Sequence, residues 1–368
     1  MNTVDFPDFS DRFKRQEDFF INGKGNLLVF AEYQEKAKWF GFDSGLGAHG
    51  LTEEVLKEKA FDIGVARVRS CFQEASINNE IRDDYIPSIN PAHWGSGFKV
   101  AVFTGSKVRF EKGTAYSTDY VLDSWEKLES LKFNHLNDWI KILLEYWRGI
   151  ESAFIPGMLV VPFLYKSPLD LASGIRGNKI FTDMYDSPEL LDRLLDFCTD
   201  STILLDTYLR NTVGILNSEP NGAFGVYLPG KVIWMNGDPV DLISVEFGNR
   251  FNKPSLEKLA NYAESLFFHH HSIGYNRADS ISTIRGLRVQ NIQQDPNGPN
   301  LFDVIDNNLI EASLRAPIDL YVNIADLPDP EQKLKKLCEG RFILHVETNT
   351  LDTCRELVSL VRKYSGFF

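Results

Sequence analysis

The chain has 368 residues and a formal net charge of −12, with 39 Lys and Arg against 51 Asp and Glu. Hydrophobic residues make up 43% and charged residues 24%, which is typical of a globular protein and excludes a mainly disordered chain or a small disulfide scaffold. The acidic charge disfavours nucleic acids and anionic membrane surfaces as partners, so we expect a small-molecule substrate.

The four cysteines are too far apart in the sequence to form a recognisable metal or redox motif. Cys71, Cys198, Cys338 and Cys354 make no CxxC or CxC pair, which favours a reducing compartment. Residues 1–15 contain no apolar segment typical of a signal peptide, and the longest apolar run is too short to cross a bilayer. We therefore expect a cytoplasmic protein that is not attached to a membrane.

Short apolar or β-branched runs alternate with helical patterns along much of the chain. Most of the runs are nearly continuous, which is typical of buried parallel strands. The eight strand candidates are Leu27–Tyr33, Phe98–Phe103, Met158–Phe163, Ala223–Tyr227, Leu266–His271, Leu287–Ile292, Ile318–Ile324 and Phe342–Val346. This pattern predicts a closed α/β barrel. We also expect a hairpin, formed by Val100–Phe103 and Lys107–Glu111, that caps one end of the barrel.

Helices are predicted where apolar residues recur every three or four positions. The clearest pattern is Asn134–Ala153. A second helix begins after Ser187, an N-cap followed by a first-turn proline, and continues toward Arg210. Two further helices are predicted at Ser255–Leu266 and Asp352–Tyr364.

Three consecutive histidines stand at the end of a strand candidate, where the active sites of parallel barrels lie. Strand alternation places His269 and His271 on one face and His270 on the other. Imidazoles in this position either bind a metal or transfer protons, and the alternative is that they only hydrogen-bond neighbouring groups. We predict His271 as a catalytic residue and both His269 and His271 as metal ligands.

Two further polar clusters follow strand candidates or turns. Asp238 and Asp241 lie in a turn around Pro239, where each is expected either to orient substrate or to cap the next segment. His345 and Glu347 are two positions apart at the end of the last strand candidate, which suits a ligand pair or an acid and base, although a surface cap is the alternative for Glu347. We predict Asp238, Asp241 and Glu347 as catalytic, and His345 and Glu347 as metal ligands.

Several residues are candidates for contacts with the substrate. Aromatic side chains near loops favour a large flat ligand, and arginines near the ends of strands or helices favour substrate carboxylates. The predicted substrate-binding residues are Tyr165, Arg176, Tyr227, Trp234, Arg285 and Asn291. The absence of GxxxxGK, GxSxG, HExxH and GxGxxG motifs disfavours nucleotide-driven and serine-hydrolase chemistry.

Together the motifs resemble the uroporphyrinogen decarboxylase superfamily, which includes the corrinoid-linked methyltransferases of methanol and methylamine metabolism. The resemblance rests on 167–177 and 181–190, on Asp84-Tyr85-Ile86-Pro87, on the Gly237-Asp238 turn and on His271-Ser272-Ile273-Gly274 in place of the family's His-x-Cys-Gly. It extends from about Asp84 to the C-terminus. It implies a single TIM (β/α)8 barrel at 85–368, with an N-terminal extension at 1–84 that packs on it.

The sequence departs from both named activities of this superfamily. It lacks the arginine-rich segment of the decarboxylases. Ile273 stands at the first Cys position of the zinc methyltransferases, and the second falls within 348–350. The resemblance therefore implies a diverged member, whose metal site, if rebuilt, holds a divalent transition metal such as zinc on nitrogen and oxygen ligands.

The function predicted from the resemblance is methyl transfer or demethylation linked to a corrinoid or similar carrier. The corrinoid is expected as carrier or substrate rather than as a bound cofactor, and a corrinoid protein is a candidate partner of this monomer or homodimer. One alternative is decarboxylation of a tetrapyrrole whose acid groups bind Arg176 or Arg285. A second alternative is a protein that binds a tetrapyrrole or corrinoid without catalysis.

Overall fold

The computed structural model describes residues 7–33, 51–89, 92, 94–111, 114–326 and 329–366. The strands are β1 Leu27–Tyr33, β2 Ser88–Ile89, β3 Val108–Glu111, β4 Thr114–Ser117, β5 Leu159–Val160, β6 Leu164–Lys166, β7 Gly222–Ala223, β8 Val226–Tyr227, β9 Val232–Asn236, β10 Ser265–His271, β11 Leu287–Gln293, β12 Ile318–Asn323 and β13 Phe342–Thr348. The helices are α1 Ser10–Phe20, α2 Glu53–Ile81, α3 Ser96–Thr104, α4 Asp138–Ala153, α5 Pro168–Arg176, α6 Lys179–Asp186, α7 Pro188–Thr212, α8 Ile215–Ser218, α9 Val245–Phe247, α10 Lys253–Tyr262, α11 Ala278–Ser282, α12 Asn307–Arg315, α13 Pro330–Leu337 and α14 Leu351–Arg362.

A seven-stranded parallel sheet forms the centre of the molecule. Its strand order is β1-β13-β12-β11-β10-β9-β6, and β2 pairs in parallel with β5, the short strand just before β6. Neighbours in space are thus mostly neighbours in sequence, with helices in the crossovers. This arrangement is consistent with a TIM-like barrel, although no ladder of backbone hydrogen bonds joins β1 to β2 in the described residues.

Two buried carboxylates connect the chain before β2 to the outer edge of β1. The amide of Val29 donates to Asp84 Oδ2 and the amide of Ala31 donates to Asp83 Oδ2, both at 3.0 Å. The Asp84 amide donates in turn to the Val29 carbonyl at 2.8 Å. Arg362 binds both oxygens of Asp84, at 2.7 and 2.9 Å. These side chains satisfy edge groups of β1 that a neighbouring strand would otherwise pair.

A close crossing of two helices packs against the sheet. The Asn137 side chain caps α4 by accepting from the Ile140 amide at 3.1 Å. Gly64 of α2 and Gly149 of α4 lie in the contact, where an added Cβ would be 2.1 Å from the Tyr146 carbonyl oxygen and 2.0 Å from the Phe61 carbonyl oxygen, respectively. Glycine is therefore required on both helices for the backbones to approach this closely.

Most of the predicted strands and helices are confirmed, with shifted ends. The strand at Leu27–Tyr33 has the predicted bounds, and the predicted strands in the last third match β10, β11, β12 and β13. The helix predicted at Asn134–Ala153 begins at Asp138, and the one predicted at Ser255–Leu266 is Lys253–Tyr262. The other two predicted helices are α7 and α14.

Three assignments before β9 are wrong. Phe98–Phe103 belongs to α3 rather than to a strand, because a short helix buried on every side shows no apolar period that distinguishes it from a buried strand. The predicted hairpin of Val100–Phe103 with Lys107–Glu111 is consequently absent, and β3 pairs with β4 instead. Ala223–Tyr227 forms the small antiparallel pair β7–β8, while the sheet strand at this point is β9.

The predicted extension at 1–84 contributes a strand to the central sheet, since β1 pairs with β13 along its whole length. The boundary at residue 84 itself stays a prediction. No helix within the described residues is long and apolar enough to span a membrane.

Candidate active site at the carboxyl ends of the strands

The three consecutive histidines lie at the end of β10 and point to opposite faces. The rings of His269 and His271 share one face, with centroids 5.0 Å apart. His270 is fully buried on the other face, where its Nδ1 lies 3.1 Å from Asp241 Oδ1. The alternation along the strand therefore separates His270 from the other two rings.

Asp238 joins the His269–His271 pair from the neighbouring strand. It follows β9 and opens a short 3-10 helix, Asp238–Leu242. Its Oδ1 is 3.7 Å from His271 Nε2. One potential ligand atom from each of Asp238, His269 and His271 lies within 4.8 Å of the other two, and no other group of three His, Cys, Asp or Glu residues in the described segments meets this condition. Two imidazoles and a carboxylate are a ligand set that zinc or ferrous iron takes in proteins.

Hydrogen bonds to Nδ1 hold both imidazoles in place. Asp295 Oδ1 lies 2.8 Å from His271 Nδ1. Asn291 Oδ1 is in hydrogen-bond contact with His269 Nδ1. A ring that donates its Nδ1–H to such an oxygen keeps the lone pair of Nε2 for a metal, and metal-binding histidines in proteins are usually oriented in this way.

The charges around the two histidines differ. Burial and the neighbouring His271 lower the pKa of His269 to about 4, against the hydrogen bond to Asn291. Burial opposes a charge on His271 too, but Asp238 and Asp295 outweigh it and raise the pKa of His271 to about 9. Without a metal, the site therefore contains a neutral His269 and a protonated His271 between two carboxylates.

Asp241 is buried below the site, and each of its oxygens contacts a group of β10. Its Oδ1 contacts His270, and its Oδ2 accepts from the backbone amide of His271 at 2.8 Å. An added Cβ on Gly274 would lie 1.6 Å from Asp241 Oδ1, so the loop after β10 packs directly on this carboxylate. Asp241 thus positions the end of β10, which is nearer to the structural role expected for it than to the predicted contact with a substrate.

His345 and Glu347 belong to a different cluster, at the ends of β12 and β13. His345 Nε2 lies 2.9 Å from Glu32 Oε1. The Tyr321 hydroxyl lies 3.0 Å from Glu32 Oε2 and 2.8 Å from Glu347 Oε1. The two predicted ligands are therefore linked through Glu32 and Tyr321, and they do not join the group of Asp238, His269 and His271.

A buried aspartate connects the two clusters. Asn291 Nδ2 donates to Asp319 Oδ2 at 2.8 Å, and Asp319 Oδ1 lies 3.9 Å from His345 Nδ1. Asp319 is fully buried, and burial raises its pKa to about 6 against the opposing effects of His345 and Asn291. Polar contacts thus run across neighbouring strands from His269 to Glu347.

Two clefts open beside His271. The larger has a volume of about 710 Å³, and Lys166, Asp170 and Asp238 line it. The smaller has a volume of about 380 Å³, and Asp295 and Glu347 line it. His271 contacts Asp238 of the first cleft and Asp295 of the second, so the candidate metal group lies at the rim between them.

Most of the predicted substrate contacts lie away from these clefts. Tyr165 is fully buried and donates from its hydroxyl to Asp206 at 3.1 Å, and Trp234 is buried against Phe224 with ring centroids 4.4 Å apart. Tyr227 of β8 packs against the Phe13 ring. These aromatic residues fill the interior or cover α1.

The two predicted arginines are also separate from the histidines. Arg176 is buried and ion-paired with Asp183 at 2.8 Å. Arg285 is exposed and precedes β11, at the amino end of the strand and hence at the opposite edge of the sheet. Of the predicted substrate-binding residues, Asn291 alone contacts the histidine cluster, through His269.

Several residues of the site were not predicted from the sequence. Lys166 is the last residue of β6, Glu32 lies near the end of β1 and Asp295 lies two positions after β11. Each stands where strand ends meet in a parallel barrel, and this position is the signal that could have identified them.

Comparison with known proteins finds similarity in fold to a solved structure. The sequence matches no family model and no curated protein. Among solved structures it is similar to a methyltransferase from Methanosarcina mazei, with a TM-score of 0.60 and 15% identity over 97% of this chain and 98% of that chain. At this identity the likeness extends to the fold alone, which agrees with the TIM-like arrangement of the sheet.

Proposed function

We propose that this chain is a methyltransferase that depends on a transition metal bound by Asp238, His269 and His271. The observation that carries the proposal is the group of three ligand atoms within 4.8 Å at the carboxyl ends of β9 and β10, beside a cleft of about 710 Å³. Similarity in fold to a methyltransferase supports this choice over other metal-dependent reactions.

The residues present suit a metal even though the family's cysteine positions are changed. Ile273 is 57% exposed and offers no ligand atom, whereas Asp238 supplies an oxygen from the adjacent strand. Two nitrogens and one oxygen leave coordination positions for a substrate. Such a metal would supply Lewis acidity toward the methyl acceptor.

The surrounding residues orient His269 and His271 in a way that suits metal binding. Asp295 and Asn291 orient the two rings, and Asp241 fixes the backbone at His271. His269 is neutral near pH 7 because its pKa is about 4, so its Nε2 lone pair is available. His271 must lose its proton to bind a metal.

We propose further that a corrinoid or similar carrier donates or receives the methyl group. With a methylated corrinoid and a thiol acceptor, the cobalt–carbon bond breaks and a sulfur–carbon bond forms. The cobalt keeps the bonding electron pair, and the thiol proton passes to solvent. The resemblance in sequence supports this part, while tetrapyrrole decarboxylation has less support because Arg176 is engaged by Asp183.

Visible spectroscopy of methylcobalamin tests the proposal. Zinc-loaded protein is mixed with methylcobalamin and 2-mercaptoethanol, and loss of the methyl group is followed by the cobalamin spectrum and by mass detection of the thioether. We expect turnover by the wild type and by Asp303→Ala, an exposed control, and at least a hundredfold loss in His271→Ala. Demethylation at equal rates in His271→Ala would refute the role of this site. Metal binding without turnover would favour the non-catalytic alternative.

A further inference from the structure

The larger cleft contains a second cluster of charged groups next to the candidate metal ligands. Lys166 at the end of β6 pairs with Asp170 in the first turn of α5, with 2.8 Å between Nζ and Oδ1. Both side chains are more than nine-tenths buried, at 9% and 6% exposure. A buried ion pair of this kind is costly to form and is not explained by the packing of the sheet.

A third buried charge, Lys99 of α3, lies close to this pair. Lys99 is 2% exposed, and the charged groups that act on it are Lys166, Asp170 and Asp238. All three line the cleft, as do Ser96 and Val100 on the same helix as Lys99. Lys99 therefore belongs to the helix that forms one wall of the cleft, and three charged groups of the cleft act on it.

The charges of this cluster are unbalanced. Lys166 and Asp170 neutralise each other, and Asp238 is shared with His271, which leaves the ammonium group of Lys99 without a matching carboxylate. In the described residues, no hydrogen bond or ion pair is formed by the Lys99 ammonium group. Asp170 Oδ2 is also buried without a hydrogen-bond partner in this part of the chain.

Unmatched buried groups of this kind indicate a missing ligand. Burial and the charge of Lys166 outweigh the attraction of Asp170 and Asp238 and lower the pKa of Lys99 to about 7. A bound anion would offset this effect, and a hydroxyl or N–H on the same ligand would satisfy Asp170 Oδ2. The walls are closely packed here, since an added Cβ on Gly174 of α5 would lie 2.4 Å from Val100 Cγ2 of α3.

We infer that the cleft binds a small molecule through an oxyanion group held by Lys99 and Lys166, with the rest of the molecule directed toward Asp238. The inference deepens the proposed function, because it rests on that function for the chemistry and names an anionic substrate class for the same site. Carboxylate, sulfonate and phosphate share the required chemistry. Binding itself does not require the metal.

The test uses the full chain, stripped of metal with a chelator, so that failure of the metal site does not affect it. Acetate, methanesulfonate and inorganic phosphate are titrated by calorimetry at constant ionic strength, which identifies the preferred oxyanion. Wild type is compared with Lys99→Met and with Lys141→Met, an exposed lysine on α4 that is outside the cleft.

We expect at least one anion to bind the wild type and Lys141→Met equally, and Lys99→Met to bind it about 10- to 100-fold more weakly, as for the loss of a hydrogen bond to a charged group. Lys99→Met should fold, because it removes a buried charge. Equal affinity in Lys99→Met, or no binding of any of the three anions, would overturn the inference.

A labelling experiment on the wild type provides a readout that needs no variant. Acetic anhydride acetylates lysine side chains, and mass spectrometry measures the extent of acetylation at each lysine. The anion preferred in the titration should slow modification of Lys99 and Lys166 severalfold while leaving Lys141 unchanged. Equal modification of Lys99 and Lys166 with and without that anion would contradict the inference.

Discussion

The His271 imidazole is held by Asp295, whose Oδ1 lies 2.8 Å from Nδ1, and this contact leaves Nε2 on the side of Asp238. The two residues come from different strand ends, His271 from β10 and Asp295 from the loop after β11. Their contact explains how the proposed metal ligand His271 can be oriented by a residue that is not itself a proposed ligand.

Removing this orienting carboxylate should weaken metal binding. We expect Asp295→Ala to reduce zinc affinity about 10- to 100-fold, as for other outer-shell partners of metal-binding histidines. Competition with a chromophoric chelator measures the affinity. The matched control is Asp303→Ala, whose carboxylate is exposed and pairs with Lys333. Equal zinc affinities in the two variants would show that Asp295 does not orient a ligand.

Asp241 should matter mainly for stability. Asp241→Ala leaves the His271 amide and His270 Nδ1 without their buried partner, so we expect a loss of about 2–4 kcal/mol in the free energy of unfolding. Urea denaturation followed by circular dichroism measures it. Asp186→Ala at the exposed end of α6 is the control and should change stability by less than about 0.5 kcal/mol. A loss of under about 1 kcal/mol in Asp241→Ala would contradict the positioning role.

The contact between His345 and Glu32 should make stability depend on pH. Burial would lower the pKa of His345, but Glu32 and, more weakly, Asp319 and Asp83 outweigh it and raise the pKa above the ordinary 6.5. Burial would raise the pKa of Glu32, but His345 and Tyr321 outweigh it and hold the pKa below the ordinary 4.5. The His345 contribution is complete below pH 6.5 and is lost as pH rises through its folded pKa. The Glu32 contribution is complete above pH 4.5 and is lost as pH falls through its folded pKa.

The pair therefore stabilises most between pH 4.5 and pH 6.5. We expect His345→Gln to lose about 2 kcal/mol near the middle of this window and less in alkaline solution. Urea unfolding of both proteins across the pH range measures the difference. A loss that grows as pH rises from the window would show that His345 is not stabilised as a cation.

The crossing of α2 and α4 gives a prediction that is independent of the site. Gly149→Ala places a Cβ 2.0 Å from the Phe61 carbonyl oxygen, so the helices must separate, and we expect a loss of about 3 kcal/mol or more in stability. Gly248→Ala is the control, because the nearest atom to its new Cβ would be 3.7 Å away. Similar unfolding midpoints for wild type and Gly149→Ala would show that the helices adjust at little cost.

The sequence predicted the part of the site that depends on local periodicity. Alternation along β10 was sufficient to place His269 and His271 together, because a strand fixes the directions of neighbouring side chains. The fold class followed from the apolar runs, and the last four strands were predicted close to their observed positions.

The contacts between strands could not be predicted in the same way. Whether Asp238 or Glu347 meets the histidines depends on which strands are neighbours, and β9 was not among the predicted strands. Lys99 was assigned to a strand rather than to α3, which hid its position on a helix that lines the cleft. These errors concern position in three dimensions rather than residue type.

Metal content tests directly whether Asp238, His269 and His271 bind a metal ion. Wild type, His269→Ala, His271→Ala and Asp303→Ala, all without affinity tags, are loaded separately with zinc and ferrous iron, dialysed and analysed for the element. We expect about one metal ion per chain in wild type and Asp303→Ala for at least one of the two metals, and loss of that metal in both histidine variants. Absence of both metals from the wild type, or equal metal in all four proteins, would contradict a metal site at Asp238, His269 and His271.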